Sequence, residues 1–429
     1  MKLISTNKRS SSVDLKTGIL KGMPLDKGLY VPKIIPTVSN KFLKNLSKLS
    51  FLEISFEISK LFFDKKTLNN SQIEDLVCKS FNFPTTYKQI DNNITSLELF
   101  NGPTASFKDY GARYLSQLMS YFVTDKEQEI TILVATSGDT GGAVANSFLN
   151  VQGIFVKILF PKDGVSKVQK LQLTTLGNNI QAIEVDGSFD DCQKLVKKAF
   201  IDKDLEFRNL SSANSINIAR LIAQAIYYFY IYGIVNQNKK KIIFSVPSGN
   251  LGNLCGGILS KKMGLPVDYF IAPTNINSIF GDYLSNGKFK PLLSKKTLAN
   301  AMDCGNPSNF NRVLYFYNND YNKIKKDIIS MHYSDNQIME GIKFLYNNYN
   351  YTCCPHSIIA YLGLRGFIKD QRYHKVFLST AHPSKFHNLV QRAINQKIII
   401  PDRILNLNKK YEHSISIDNQ YQHLKDVLL

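Results

Sequence analysis

Lys108 is the residue of this chain whose type and address best suit covalent chemistry. It lies in Leu97–Arg113, LELFNGPTASFKDYGAR, where an alternating apolar run ends at Phe100, a polar turn Asn-Gly-Pro-Thr follows, and a helical pattern begins. Phe107, Tyr110, Tyr114, Leu115 and Leu118 share one helical face. Lys108, in the first turn, therefore stands beside an apolar face and near the positive end of the helix dipole. Burial and dipole both disfavour an ammonium, so its pKa is expected to fall. A lysine of lowered pKa is a nucleophile suited to a Schiff base. A helix lysine is by default a solvated one, so the rest of the chain decides.

Two glycine-rich turns decide much of it. Ala135–Gly142, ATSGDTGG, follows a strand pattern and opens a helical one. Free backbone N–H groups in such a turn make an anion site for carboxylate or phosphate; the plainer reading is a βα turn capped by Asp139 or Thr140. Pro247–Gly257, PSGNLGNLCGG, repeats the design. Ser248 and Asn250 can donate to a phosphate, and Gly249 and Gly252 open the backbone. No Gly-Lys-Ser/Thr follows, so it is not a Walker loop, and it lacks the spacing and distant acid of a dinucleotide turn. Two anion turns and a lysine suit a smaller phosphorylated cofactor. Ser379–Phe386, STAHPSKF, puts hydroxyls at the end of a strand, where parallel sheets bind ligands. His382 there, and His356 in CCPHS, read more simply as satisfied turn histidines than as general acids. Asn306–Arg312, NPSNFNR, either binds an anion or caps a helix.

The elements that must position these residues are alternating strands and helices. Glu129–Ala135, Ile154–Phe160, Ile180–Val185, Lys241–Val246, Tyr269–Pro273 and Lys375–Ser379 read as strands. Helical patterns run over Gly141–Asn150, Phe189–Ile201, Ile216–Val235, Asp335–Tyr346, His356–Phe367 and Pro383–Asn395. That alternation predicts parallel α/β sheets. Residues before about 90 are mostly helical, as in Asn40–Phe63 and Ser71–Phe81, with a turn-rich loop at Gly22–Pro32. The boundaries expected are 1–93 for an N-terminal domain, 94–236 for the lysine-bearing domain and 237–429 for the domain of the second glycine turn, the chain crossing between the last two.

Composition excludes several classes. The chain has 429 residues, a net charge of +19 and 44% hydrophobic residues. Its basic residues are 44 Lys and only 9 Arg, scattered, with Lys239–Lys241 the longest run. Nucleic-acid readers cluster charge and favour Arg, so no nucleic-acid partner is expected, although a basic surface can attract an anionic substrate. Six cysteines are too few for a disulfide scaffold, and neither they nor the seven histidines show metal-ligand spacing. No 18-residue apolar run and no secretory signal are evident, so a cytoplasmic protein without a membrane span is expected.

Six blocks in this order make a more specific pattern: DKGLYVP (Asp26–Pro32), ELFNGPTASFKD (Glu98–Asp109), ATSGDTGGAVA (Ala135–Ala145), VPSGNLGN (Val246–Asn253), NPSNF (Asn306–Phe310) and LSTAHPSKF (Leu378–Phe386). On them the chain resembles the threonine synthase family, pyridoxal-phosphate (PLP) enzymes of fold type II, in the long branch with an extra N-terminal domain. The resemblance implies a tryptophan synthase β-like fold, two parallel-sheet α/β domains plus a mostly helical N-terminal one. It implies a Schiff base between PLP and Lys108, a phosphate cradle at Ser248, Gly249, Asn250, Leu251, Gly252 and Asn253, and Thr380 or Ser379 at the pyridine nitrogen. The substrate carboxylate would meet Ser137, Gly138, Asp139, Thr140 and Gly141, and the substrate phosphate Lys162, Ser166, Lys167, Asn306, Ser308, Asn309 and Arg312. The implied reaction is O-phospho-L-homoserine plus water to L-threonine plus phosphate, by a carbon–oxygen lyase acting as monomer or homodimer. Two alternatives share that fold: a phospho-lyase releasing 2-oxobutyrate, and a dehydratase or β-replacement enzyme acting on unphosphorylated serine or threonine. Where the family usually has His, Leu-Ala, Phe and Asp, this chain has Asn101, Ala105-Ser106, Leu251 and Cys354, so the hydrogen bonds around Asn101 and Cys354 are expected to differ.

Overall fold

β1 (Lys2–Ser5), β2 (Val13–Asp14) and β3 (Tyr30–Pro32) form a small antiparallel sheet in the order β2-β1-β3. The computed structural model describes residues 1–123, 129–236, 240–367 and 369–429. Helices complete this N-terminal part. The expected helix over 40–63 is broken into Asn40–Asn45, a short 3-10 turn and Phe51–Lys60, the last restarted by a Ser50–Glu53 capping box.

Two larger sheets follow. One contains β4 (Thr86–Asp91), β5 (Ile94–Glu98), β10 (Lys241–Ser245), β11 (Tyr269–Ile271), β12 (Ile328–Ile329) and β13 (Tyr373–Ser379), in the order β12-β11-β10-β13-β5-β4. Only β4, which hairpins onto β5, is antiparallel. The other is all parallel: β6 (Ile130–Ala135), β7 (Ile154–Pro161), β8 (Ile180–Asp186), β9 (Leu210–Ser211) and β14 (Ile415–Asp418), ordered β14-β8-β7-β6-β9. β6 and β13 are buried along their whole length, as strands covered on both faces must be.

The sheets are interleaved in sequence. β4 lies before the expected boundary at 93 yet pairs with β5, and β14 returns from the C-terminus to the sheet of the middle segment. The second expected boundary, at 237, and Lys239 of the basic run lie outside the described residues. This weaving brings the ends of β5 and β13 side by side, so the turn after β5 and the turn after β13 share one site.

The helix Ile218–Val235 is the long apolar helix expected over Ile216–Val235. It is long and apolar enough by composition to cross a membrane, with mean hydropathy 1.4 over 18 residues. Arg220 and Gln224 interrupt its apolar run, so no unbroken 18-residue apolar stretch lies there. It is a core helix, 89% buried inside the protein, packed against the helices Lys108–Phe122 and Gly252–Lys262. All six cysteines are free; four are buried, Cys304 is half-buried and Cys78 is exposed.

Candidate functional site

Lys108 begins the helix Lys108–Phe122. The turn before it is locked from within. Asp109, itself buried, accepts from the Thr104 amide (2.9 Å) and the Thr104 hydroxyl (2.6 Å). The Phe107 amide donates to the Thr380 carbonyl at 2.8 Å, which binds this turn to the end of β13. Asn101, atypical for the resemblance, donates its side-chain amide to Thr86 Oγ1 at 2.6 Å, so the position keeps a hydrogen bond although it stands outside the cavity wall.

Lys108 lines a cavity of about 850 Å³. Its Nζ lies 3.7 Å from Asp139 Oδ2. Burial pushes the Lys108 amine down, Asp139 pulls it back, and Lys385 and Arg220 push it down again; the net direction is downward. Burial pushes the Asp139 carboxyl up, but Lys385 and Lys108 outweigh burial and hold it far below the ordinary carboxylate range.

The first glycine turn divides into wall and support. Ser137, Asp139 and Thr140 line the cavity. Gly138 and Gly141 stand behind it, where both their amides donate to Thr136 Oγ1, at 3.0 and 2.8 Å. A Cβ on Gly138, whose φ is +125°, would come within 2.3 Å of Gln169 Cδ. The two glycines therefore serve backbone shape and packing, and the structure does not bring them to the cavity wall.

The second turn faces the cavity along Ser248–Asn253 and opens the helix Gly252–Lys262, whose N-terminus has no side-chain cap. Asn253 is buried; its Oδ1 accepts from Tyr227 and Tyr228, and its Nδ2 has no partner. A Cβ on Gly249 would sit 2.8 Å from Met302 Cα, and one on Gly252 2.9 Å from Ser215 Cβ. An uncapped helix start and an unpartnered buried donor are what a phosphate needs, so pyridoxal phosphate fits with its phosphate here. Thr380 lines the same cavity, whereas the Ser379 hydroxyl points to the other face of β13, bonded to Ser96 Oγ (2.7 Å) and Tyr351 OH (3.2 Å). Thr380 directly follows β13, and successive residues of extended chain face opposite ways, which separates the two hydroxyls.

The residues expected to meet a substrate phosphate scatter. Asn306 and Ser308 line the cavity. Asn309 lies buried beneath, donating to Ser215 Oγ and the Asn250 carbonyl. Lys162 and Lys167 are exposed and Ser166 caps the helix Lys167–Thr174; none of the three lines the cavity. Arg312 does not line it either. Its guanidinium is fully buried and donates to the carbonyls of Ser215, Ile216 and Tyr30 and to Asn309 Oδ1. It joins the N-terminal sheet to the cavity's support. Arg312→Leu is expected to lower unfolding free energy by about 3 kcal/mol or more, by stranding buried acceptors, as read from a urea midpoint; a change in KM with unchanged stability would contradict this.

Several cavity residues are ones that sequence reasoning missed. Arg220 is 2% exposed and lines the cavity. Its Nη1 donates to the Ala213 carbonyl at 2.7 Å, and among the described residues no carboxylate lies within ion-pair distance of it. Asn214 and Ser215 stand beside it, with Asn214 Oδ1 unpartnered. The available signal was an arginine in the first turn of an otherwise apolar helix, after the polar turn Ser211–Ser215. Lys385 is completely buried, its Nζ 2.7 Å from Asp139 Oδ1. His356 also lines the cavity and accepts from the Ala301 amide at Nε2 (3.1 Å); burial pushes its imidazole down to about 4. Cys354 caps the helix Pro355–Gly363 through the Ser357 amide, and the Ser357 hydroxyl accepts from the Thr380 amide at 2.9 Å. The sulfur thus fills the capping place of the usual Asp. The loop Gly22–Pro32 is more than a surface turn: Met23, Pro24, Leu25, Lys27 and Leu29 reach the cavity. Asp26 braces the loop, accepting from Ser5 Oγ and the amides of Arg9, Ser10 and Gly28.

The chain is similar to known proteins along its whole length. The model for "Pyridoxal-phosphate dependent enzyme" matches residues 85–377, that for "Threonine synthase N terminus" 2–81, and that for "Threonine synthase, C-terminal" 359–428. A threonine synthase of Buchnera aphidicola subsp. Acyrthosiphon pisum is 38% identical over 435 residues, covering 100% of both chains. The crystal structure of threonine synthase from Escherichia coli superposes with a TM-score of 0.94 at 34% identity, over 100% of this chain and 99% of that one. A PLP-bound threonine synthase from Brucella melitensis gives 0.93 at 29% identity, over 100% and 98%.

Proposed function

The chain belongs to the threonine synthase family, and from that membership we propose that it converts O-phospho-L-homoserine and water to L-threonine and phosphate, as a carbon–oxygen lyase acting on a phosphate. The observation that carries the reading is the meeting of Lys108, the uncapped Ser248–Asn253 turn and the unpaired Arg220 guanidinium on one cavity. Two anionic groups can be held there at once, one on the cofactor and one on the substrate.

Pyridoxal phosphate, when bound, supplies an electron sink for the charge left at Cα. Lys108 would hold it covalently, Ser248–Asn253 its phosphate, and Thr380 its ring. The protein's own residues do the rest. Ser137 and Thr140 orient the substrate carboxylate, and Arg220 with Ser215 and Asn214 takes its phosphate. Fixing both ends presents the Cα–H bond to Lys108, whose lowered pKa suits a base. Lys108 Nζ moves the proton at Cα; a second proton leaves Cβ as phosphate leaves Cγ, where Arg220 offsets the departing charge. Cγ then gains a proton, water adds at Cβ, and Cα is reprotonated. The cytoplasm is the compartment we assign, and a monomer or homodimer the working unit.

Product analysis tests this reading. Incubation with O-phospho-L-homoserine is expected to release phosphate and threonine in equal amounts. Phosphate with 2-oxobutyrate and no threonine would instead establish a phospho-lyase.

A further inference from the structure

The buried pair Lys385–Asp139 has no part in the scheme above, yet it touches the base that the scheme depends on. Lys385 follows β13, in the turn Pro383–Phe386. Its Nζ is 0% exposed and meets two acceptors, Asp139 Oδ1 at 2.7 Å and the Thr104 carbonyl at 3.0 Å. Asp139 opens the helix Asp139–Phe148 on the other large sheet. Its Oδ1 also accepts from Gln169 Nε2 at 2.9 Å. Two fixed donors thus occupy Oδ1 and leave Oδ2 turned to Lys108 Nζ, 3.7 Å away.

Thr104 belongs to the turn that carries Lys108, and its carbonyl accepts a second time, from Gln172 Nε2 at 3.0 Å. One ammonium therefore joins the lysine-bearing turn to the carboxylate that faces the lysine. We infer that Lys385 is a positioning residue for the reaction: it fixes Asp139 so that one oxygen is directed at Lys108 Nζ while its own charge limits how tightly that carboxylate can hold the Lys108 proton. This rests on Lys108 being the cofactor-bearing residue.

The sign follows from the charges around the group. Asp139 faces Lys108 and favours its protonated form; Lys385, and Arg220 from the helix Ile218–Val235, disfavour it. His356, from the helix Pro355–Gly363, is held neutral by burial, and Asp109 is buried on the lysine's own helix, hydrogen-bonded to Thr104. Removing Lys385 takes away a cation and strengthens the grip of Asp139 on the proton. Removing the Asp139 charge does the reverse.

The test is a pH titration of the visible absorbance of the cofactor-loaded protein, with kcat and KM measured alongside. Lys385→Met is expected to raise the midpoint by about one pH unit and to lower kcat about tenfold with little change in KM. Lys385→Arg should stay near the parent protein, and Asp139→Asn should move the midpoint downward. A general packing defect would not shift the two variants in opposite directions. An unshifted midpoint in folded, loaded Lys385→Met overturns the inference. Should that variant not fold, Asp139→Asn decides: a downward shift supports the inference and no shift overturns it. Absence of any visible band in the parent protein would instead defeat the cofactor-bearing role of Lys108.

Discussion

Lys108→Ala is expected to reduce threonine formation by about 10⁴-fold or more, because on the proposed reading one substitution removes both the covalent attachment and the base. Lys108→Arg is expected to be equally inactive. An arginine keeps the cation beside Asp139 but has neither a nucleophilic amine nor an accessible pKa. The fold should survive both changes, since the Lys108 ammonium meets Asp139 at 3.7 Å and the Phe107 ring at 5.2 Å, while the turn around it is held by Asp109, Thr104 and the Phe107–Thr380 bond. Circular dichroism and a urea midpoint close to those of the parent protein would accompany the loss. Activity within tenfold of the parent in Lys108→Ala would remove the residue from the chemistry.

Arg220→Met is expected to have the next largest effect, a fall in kcat/KM for O-phospho-L-homoserine of about 10²- to 10³-fold. The argument is electrostatic. A guanidinium at the wall of a cavity, 2% exposed, carries a desolvation cost that an anion would offset. Burial pushes its pKa down to about 10, far enough above neutrality that it stays charged. On the proposed reading the cofactor phosphate is held separately by Ser248–Asn253, so the visible absorbance of the loaded protein should be unchanged. Loss of that absorbance would place Arg220 with the cofactor instead. A KM within twofold of the parent would mean that the substrate phosphate binds elsewhere in the cavity, and Lys27 or Lys197 on its wall would be the next to examine.

Much of the cavity wall was legible in the residues themselves, and the residues passed over were missed for physical reasons. The lysine in the first turn of its helix, and the uncapped turn at Ser248–Asn253, were readable because each is a contiguous segment with its own geometry. Ser379 and Thr380 could not be separated by type; only the run of the chain off the end of β13 turns one to Tyr351 and the other to the cavity. Arg312 drew attention as an arginine in a polar turn, but its partners are carbonyls far away in sequence, which no local pattern reveals. Arg220 and Lys385 escaped for the complementary reason. Arg220 sits in a mostly apolar helix and Lys385 in a turn whose hydroxyls and histidine drew the attention, and the meaning of each comes from groups that only the interleaving of the two sheets brings near. β14 alternates Ile-Ser-Ile-Asp, but it was missed because it is only four residues long and mostly exposed, too short a pattern to stand out as a strand. The broad plan, parallel sheets with crossover helices, was legible because β6, β7, β10 and β13 are apolar runs bounded by turns.

The most direct measurement is to reduce the cofactor-loaded protein with borohydride, digest it and locate the modified lysine by mass spectrometry. The predicted result is one pyridoxyl group on Lys108, and none on any lysine of Lys108→Ala treated alike. Lys385 is the informative control, because it is buried and shares the Asp139 carboxylate with Lys108. A pyridoxyl group on Lys385 in the parent protein, or an adduct that persists in Lys108→Ala, would contradict the assignment on which the account rests.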